Sequence, residues 1–420
     1  MGMTENPRDR RGRSRSLLAA VAVLVGVALV MASAGCQPGR RQPPRGGPWF
    51  GVLQVGPGSV RPLVGTGVDR AVVGLDWSRY EPEPGRTDAA YVAGTVGLIR
   101  RLKAQGIGAV LDPGLHHPPS WVFALPGATR FQDQYGVQWR GSATSGTAVA
   151  NAVFDTAVRT AEGDYLRRIA ADLGGGTFAA VRVGGLLSGE LRYPPADDGA
   201  GHHDAVWYFD SGARATAPVH GWRPGTGGKA DAERSVRGYL GALTEYERWL
   251  LGATAAAFPR GQLQLLLPGW GLRPGQVAAA VDDDLDGHSR AEQGGMLSSG
   301  LAWDGQVRAL GAYRSRALAY TTWLDAPSGG RSPQLVSPAE YLAGLTAAVG
   351  VPLAGENTGQ NATRQAPKSA LRVCLHRVRT LRLAGMMWMS EPDLLSGRAG
   401  LTLADYAGAV SAFRSRGTAD

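Results

Sequence analysis

A (β/α)8 barrel, the TIM-barrel architecture, is the α/β fold class this sequence predicts, and three observations point to it. Short apolar runs of strand length recur eight times along the chain. Segments with helical spacing of apolar residues stand between most of them. The alternation extends over roughly 370 residues, a length that one barrel with enlarged βα loops fills as a single domain. The composition, 44% apolar and 19% charged over 420 residues, is that of a globular chain.

The elements follow in order. Phe50-Gly-Val-Leu-Gln54 reads as the first strand and Arg70–Trp77 as the second, an apolar run suited to burial. Tyr91–Gln105 has helical spacing and stops at Gly106. Ile107–Asp112 is the third strand. In Asp164–Leu173 the residues Leu166, Ile169, Ala170 and Leu173 share one helical face. Phe178–Val183 is the fourth strand, Val236–Phe258 a long helix, and Gln264–Leu267 and Ala317–Thr322 the fifth and sixth strands. Ser337-Pro-Ala-Glu340 is a capping box with Pro at the first helical position, so a helix starts there. Val351–Ala354 is the seventh strand, Ala370–Leu381 a helix and Gly385–Met389 the eighth strand. A last helix follows Thr402. A doubly wound sheet competes with the barrel, but no Gly-rich phosphate loop follows the first strand.

The net charge of +9 suggests nucleic acid until it is divided. Residues 1–45 carry eight Arg and two acids, which leaves 36 basic and 33 acidic residues for the remainder. The folded part therefore has no basic footprint, and no nucleic-acid partner is expected. The excess belongs to an address. A basic stretch from Arg8 to Arg15 precedes sixteen uncharged apolar residues, Leu17–Ala32, and Ser33-Ala34-Gly35-Cys36 closes the run. This is the layout of a secretory signal, and it is short for a spanning helix. Cys after Ala-Gly resembles the lipobox of bacterial lipoproteins. That resemblance implies cleavage before Cys36, lipidation of its thiol, and anchoring on the extracellular side of the cell membrane. The expected organisation is a signal over 1–36, a Pro-, Arg- and Gly-rich flexible tether over 37–47, and the barrel over 48–420. Cys374 then remains as a packed free thiol.

In such barrels chemistry sits at the carboxyl ends of the strands. Those ends carry Asp76, Trp77 and Glu81; His116, His117 and Trp121; Glu190 and Arg192; Trp270; Thr321; Glu356 and Asn357; and Trp388 with Glu391. Carboxylates and indole rings on one rim suit sugar, because pyranose faces stack on rings while hydroxyls need charged or amide partners.

Gly189-Glu190-Leu-Arg-Tyr-Pro194 resembles the strand-four motif of β-amylases, and Ala354-Gly355-Glu356-Asn357 resembles their strand-seven motif. The resemblance covers roughly Phe50 to Leu395, although only the strand ends match well. It implies a glycoside hydrolase with Glu190 as general acid, Glu356 as general base and inversion at the anomeric carbon. Most glycosidases need one protonated and one ionised carboxyl. It further implies substrate contacts from Thr321 and Asn357, and Trp77 with Glu81 and the pair His116 and His117 are similar to the second and third strand ends of the same enzymes. Arg192, Trp270 and Trp388 are expected as further substrate contacts because they stand on the same rim. Arg192 would favour the ionised form of Glu190 if the two paired, so it is expected to turn toward Asp76 or Glu81.

The departures bear on the substrate. Positions where β-amylases grip glucose hold Gly74, Leu266, Gly271 and Ser390, so starch is doubtful. Two other readings stay open: a retaining β-galactosidase-like enzyme with Glu356 as nucleophile, and a glycan-binding lipoprotein without turnover. No cofactor and no metal are expected. His202-His203-Asp204 reads as a polar loop, and Asp282–Gly287 mimics the start of a calcium loop that has Gln293 where Glu is needed.

Overall fold

The computed structural model describes residues 47–142, 146–282, 285, 291–359 and 366–416. The signal with Cys36, nearly all of the tether, the middle of the calcium-like stretch and the Asn361 sequon lie outside them. Among the described residues, eight parallel strands close into a barrel. They are β1 (Trp49–Val52), β2 (Arg70–Gly74), β3 (Gly108–Asp112), β4 (Ala180–Val183), β5 (Gln262–Leu267), β6 (Ala317–Thr321), β7 (Leu353–Glu356) and β8 (Gly385–Trp388). Each strand pairs with its sequence neighbours, and β8 closes on β1 through the register Trp49 to Gly385. The chain is thus a (β/α)8 barrel, with all eight expected strands present.

An outer layer of helices covers the strands: α1 (Ala89–Ala104), α2 (Thr156–Leu173), α3 (Lys229–Ala257), α4 (Trp303–Leu310), α5 (Pro338–Val349), α6 (Pro367–Thr380) and α7 (Leu403–Arg416). Several starts are fixed by side chains that satisfy otherwise unpaired N–H groups. Asp88 accepts from the Tyr91 N–H at 2.9 Å, and Asp155 accepts from those of Ala157 and Val158 at 2.8 and 3.1 Å. The Ser337–Glu340 capping box forms as expected at the start of α5. The Asp155 cap lets α2 begin eight residues earlier than the apolar spacing suggested. The helix α4 escaped the sequence reading because glycines surround it, yet Trp303, Val307 and Leu310 give it a buried face. The β1–β2 connection holds only the single turn Val60–Leu63. No described helix is long and apolar enough to cross a membrane.

The barrel interior is filled by Val72, Val110, Ala180, Leu266, Leu318, Tyr320, Ala354 and Met387. A larger apolar layer lies between the strands and the helices, and it takes in Cys374, a free thiol fully buried on α6. Side chains alternate across a strand with period two. Two residues beyond Val110, Ala180 and Ala354, toward the carboxyl ends, the same alternation places Asp112, Arg182 and Glu356 on the inner side.

Candidate active site

These three residues meet above the apolar plug. Arg182 on β4 is 6% exposed, and its guanidinium lies 3.1 and 3.4 Å from the two carboxylate oxygens of Glu356 at the end of β7. Its Nε is 3.8 Å from Asp112 at the end of β3, and its cationic head lies 5.3 Å from the Tyr320 ring centroid on β6. Burial alone would lower the Arg182 pKa. The negative charge of Glu356, then Tyr320 and Asp112, reverses this and raises it above the ordinary guanidinium value. A buried cation flanked by two acids is stable because each charge has a partner. The sequence offered one signal for Arg182, a charged residue at an inward position of an otherwise apolar strand.

Glu190 follows a 3-10 turn, Leu187–Gly189, at the end of β4. Its side chain keeps 15% of its exposure. Burial raises the carboxyl pKa above the usual glutamate range. The Arg192 charge and the Thr322 hydroxyl oppose the shift, the Glu356 charge adds to it, and Arg182 opposes it. Glu190 and Glu356 therefore stand within each other's electrostatic reach. The turn that presents Glu190 folds back on the strand end, where a Cβ on Gly184 would lie 2.2 Å from the Gly189 carbonyl oxygen. Gly184→Ala is accordingly expected to displace Glu190 and lower activity at least tenfold with the circular dichroism spectrum intact, since ångström shifts of reacting groups cost up to about a hundredfold.

A cavity of about 450 Å³ opens over Glu356, Asp112 and Arg182, and Ser188, His116 and His117 line it as well. The two imidazoles are 4.0 Å apart. Burial pushes His116 down to about 4, so it is neutral near pH 7 and available as a hydrogen-bonding group without charge. Two lining residues, Gln54 (φ 63) and Ser188 (φ 59), hold the left-handed backbone conformation that non-glycine residues rarely adopt. Such strain, of order 1–3 kcal/mol per residue, gathers at functional sites.

Several residues expected to touch substrate do not line the cavity. Trp77 is fully buried, stacks on Tyr165 at 4.8 Å and donates its indole N–H to Glu81 at 3.1 Å, so it is no sugar platform. The reason is local: Asp76 caps a short helix, Trp77–Tyr80, which turns the ring into the helix layer. Glu81 is 2% exposed and is occupied by Trp77, the Gly85 N–H and Arg168. Thr321 is buried on the outer side of β6, and its neighbour Thr322 stands beside Glu190 instead. Asn357 exchanges both ends of its amide with the Met389 backbone, at 3.0 and 2.7 Å, which ties the ends of β7 and β8 together. Trp388 is 4% exposed, and with Asn357 it lines a void of about 20 Å³, room for one water but not for a sugar ring. Arg192 does not turn toward Asp76 or Glu81. It hydrogen-bonds Ser299 at 3.1 Å and lies 4.0 Å from Glu190. Trp270 is half-buried near Arg273, and among the described residues no Trp lines the cavity. His202 pairs with Asp198 at 2.6 Å, and no group of three or more possible metal ligands occurs among the described residues.

The fold of this chain is shared with sugar-enzyme barrels. The catalytic domain of a β-amylase from Paenibacillus polymyxa superimposes with a TM-score of 0.64 at 14% identity, over 87% of this chain and 98% of that one. Two β-galactosidases follow. The one from the Antarctic haloarchaeon Halorubrum lacusprofundi has a TM-score of 0.55 at 15% identity, over 87% of this chain and 58% of that one. The one from the psychrophilic Marinomonas ef1 has a TM-score of 0.55 at 12% identity, over 88% and 59%. This chain thus spans less than two thirds of either β-galactosidase chain. At these identities the likeness is one of fold. No protein-family model matches the sequence, and no curated protein matches it.

Proposed function

We propose that the chain is a glycoside hydrolase in which Glu190 protonates the leaving oxygen and Glu356 activates water on the opposite face of the sugar. The observation that carries this reading is the pair itself. Glu356 at the end of β7 lines the cavity, and Glu190 follows directly on the Leu187–Gly189 turn whose Ser188 lines it too. Their surroundings differ in the sense that acid/base work needs: Glu190 is shifted up by burial, while Glu356 is held by the Arg182 cation. The β-amylase likeness supports inversion, and the β-galactosidase likenesses support retention with Glu356 as nucleophile. Proton NMR of the first-formed product decides between them. Inversion gives the anomer opposite to the substrate's, and a retained anomer reassigns Glu356 to covalent attack.

The amino-terminal residues supply the proposed location, a lipid anchor at Cys36 on the extracellular side of the membrane. Cys36→Ala is expected to release the protein from membranes or block its maturation. Unchanged membrane fractionation with an intact amino terminus would instead mean an uncleaved helix.

A further inference from the structure

We infer that the glycan taken by this site is acidic, with the carboxylate of a uronic-acid residue held by Arg79 at the cavity's β2 side. The inference rests on the glycosidase reading and names its substrate class.

Most charges around the cavity are already engaged. Asp112 is held by Arg182 at 3.8 Å and by the Gly114 N–H at 3.0 Å. Glu356 is held by the same guanidinium. Asp76 accepts from the Ser78 hydroxyl at 2.6 Å and from the Arg79 N–H at 3.3 Å. Arg79 differs from all of these. It is exposed, lines the cavity, and among the described residues its guanidinium has no carboxylate within ion-pair distance. It is nevertheless positioned, because it lies 4.9 Å from the centroid of the Tyr91 ring. That ring is fixed in turn by the Asp76 N–H, which donates to the Tyr91 hydroxyl at 2.9 Å.

A guanidinium stacked on an aromatic face keeps its fork of N–H donors free at the edge, the arrangement that meets a carboxylate with two parallel hydrogen bonds. Space for the ligand group exists beside it. Gly74 lines the same wall, and a Cβ added there would meet nothing within 4 Å. A neutral pyranose would find the Tyr91 face on this wall covered by Arg79, and among the described residues no Trp lines the cavity. The unpaired charge on this wall is the Arg79 guanidinium.

The test measures binding to the hydrolysis-impaired Glu356→Gln protein by calorimetry. It uses pairs of oligosaccharides that differ only in a hexuronic acid against its parent hexose, with an amino-sugar analogue as a third probe. The expected result is at least tenfold tighter binding of the acidic member. That ratio should shrink with added salt, collapse toward one in Arg79→Gln and recover in part in Arg79→Lys. Equal or tighter binding of the neutral or amino sugar, or a ratio unchanged by Arg79→Gln, overturns the inference. If the neutral sugar is preferred and the wild type hydrolyses it, the glycosidase reading stands alone. If neither binds nor is hydrolysed, both readings fall. Arg79-dependent binding of acidic glycans without any turnover keeps this inference and removes hydrolysis.

Discussion

Glu190→Gln is expected to lower kcat by about 10²–10⁴-fold on glycosides whose leaving group needs a proton, the usual worth of a positioned general acid. The same variant should lose far less on aryl glycosides with good leaving groups, since those depart as anions without help. Glu356→Gln should depress both substrate types, because water activation or covalent attack is needed whatever leaves. This asymmetry assigns the two roles separately in kcat for an inverting enzyme and in kcat/KM for a retaining one, where the same residue serves as base in the second step. Equal losses on both substrate types from Glu190→Gln would mean that the residue shapes the site without donating a proton. Glu190 sits where burial favours its neutral form, whereas Glu356 lies against a buried guanidinium.

Arg182→Met carries the second large effect. The substitution leaves Glu356, 6% exposed at its side chain, and Asp112 without their shared cation. Breaking a buried ion pair from one side costs about 3–5 kcal/mol, because an uncompensated charge stays behind. A fall of that size in urea unfolding free energy at neutral pH is the expected outcome. Arg182→Met combined with Glu356→Gln should be milder than Arg182→Met alone. An unchanged unfolding midpoint in the single variant would show that the pair does not hold this end of the barrel together.

How far the sequence revealed all this depended on what each residue type permits. Strands were legible because eight apolar runs of the right length stand between turn residues, and in a closed parallel barrel both faces are buried. The α4 helix was not, since Gly300 and Gly305 on either side of its start lower helix propensity while packing of Trp303 supplies the stability. The motif blocks put Glu190 and Glu356 at strand ends, and in the structure Glu356 closes β7 while Glu190 follows the turn after β4. Trp77, Thr321 and Asn357 were misplaced for a common reason. A residue at a strand end can face the cavity, the helix layer or the next strand's backbone, and position along the chain does not say which. Asp76 capping a new helix turned Trp77 outward, and one step of strand alternation exchanged Thr321 for Thr322. Arg182 was overlooked because a charged residue in a strand ordinarily marks the solvent side.

The pairing of Glu190 with Glu356 is tested most directly by the pH dependence of kcat/KM on a hydrolysed glycoside, measured for the wild type and for Glu190→Gln. The expected wild-type profile falls on its alkaline side above the ordinary glutamate range, as Glu190 gives up its proton, and that limb vanishes in Glu190→Gln. An alkaline limb that survives the substitution unchanged, or an absence of turnover across neutral and acidic glycosides alike, would contradict it.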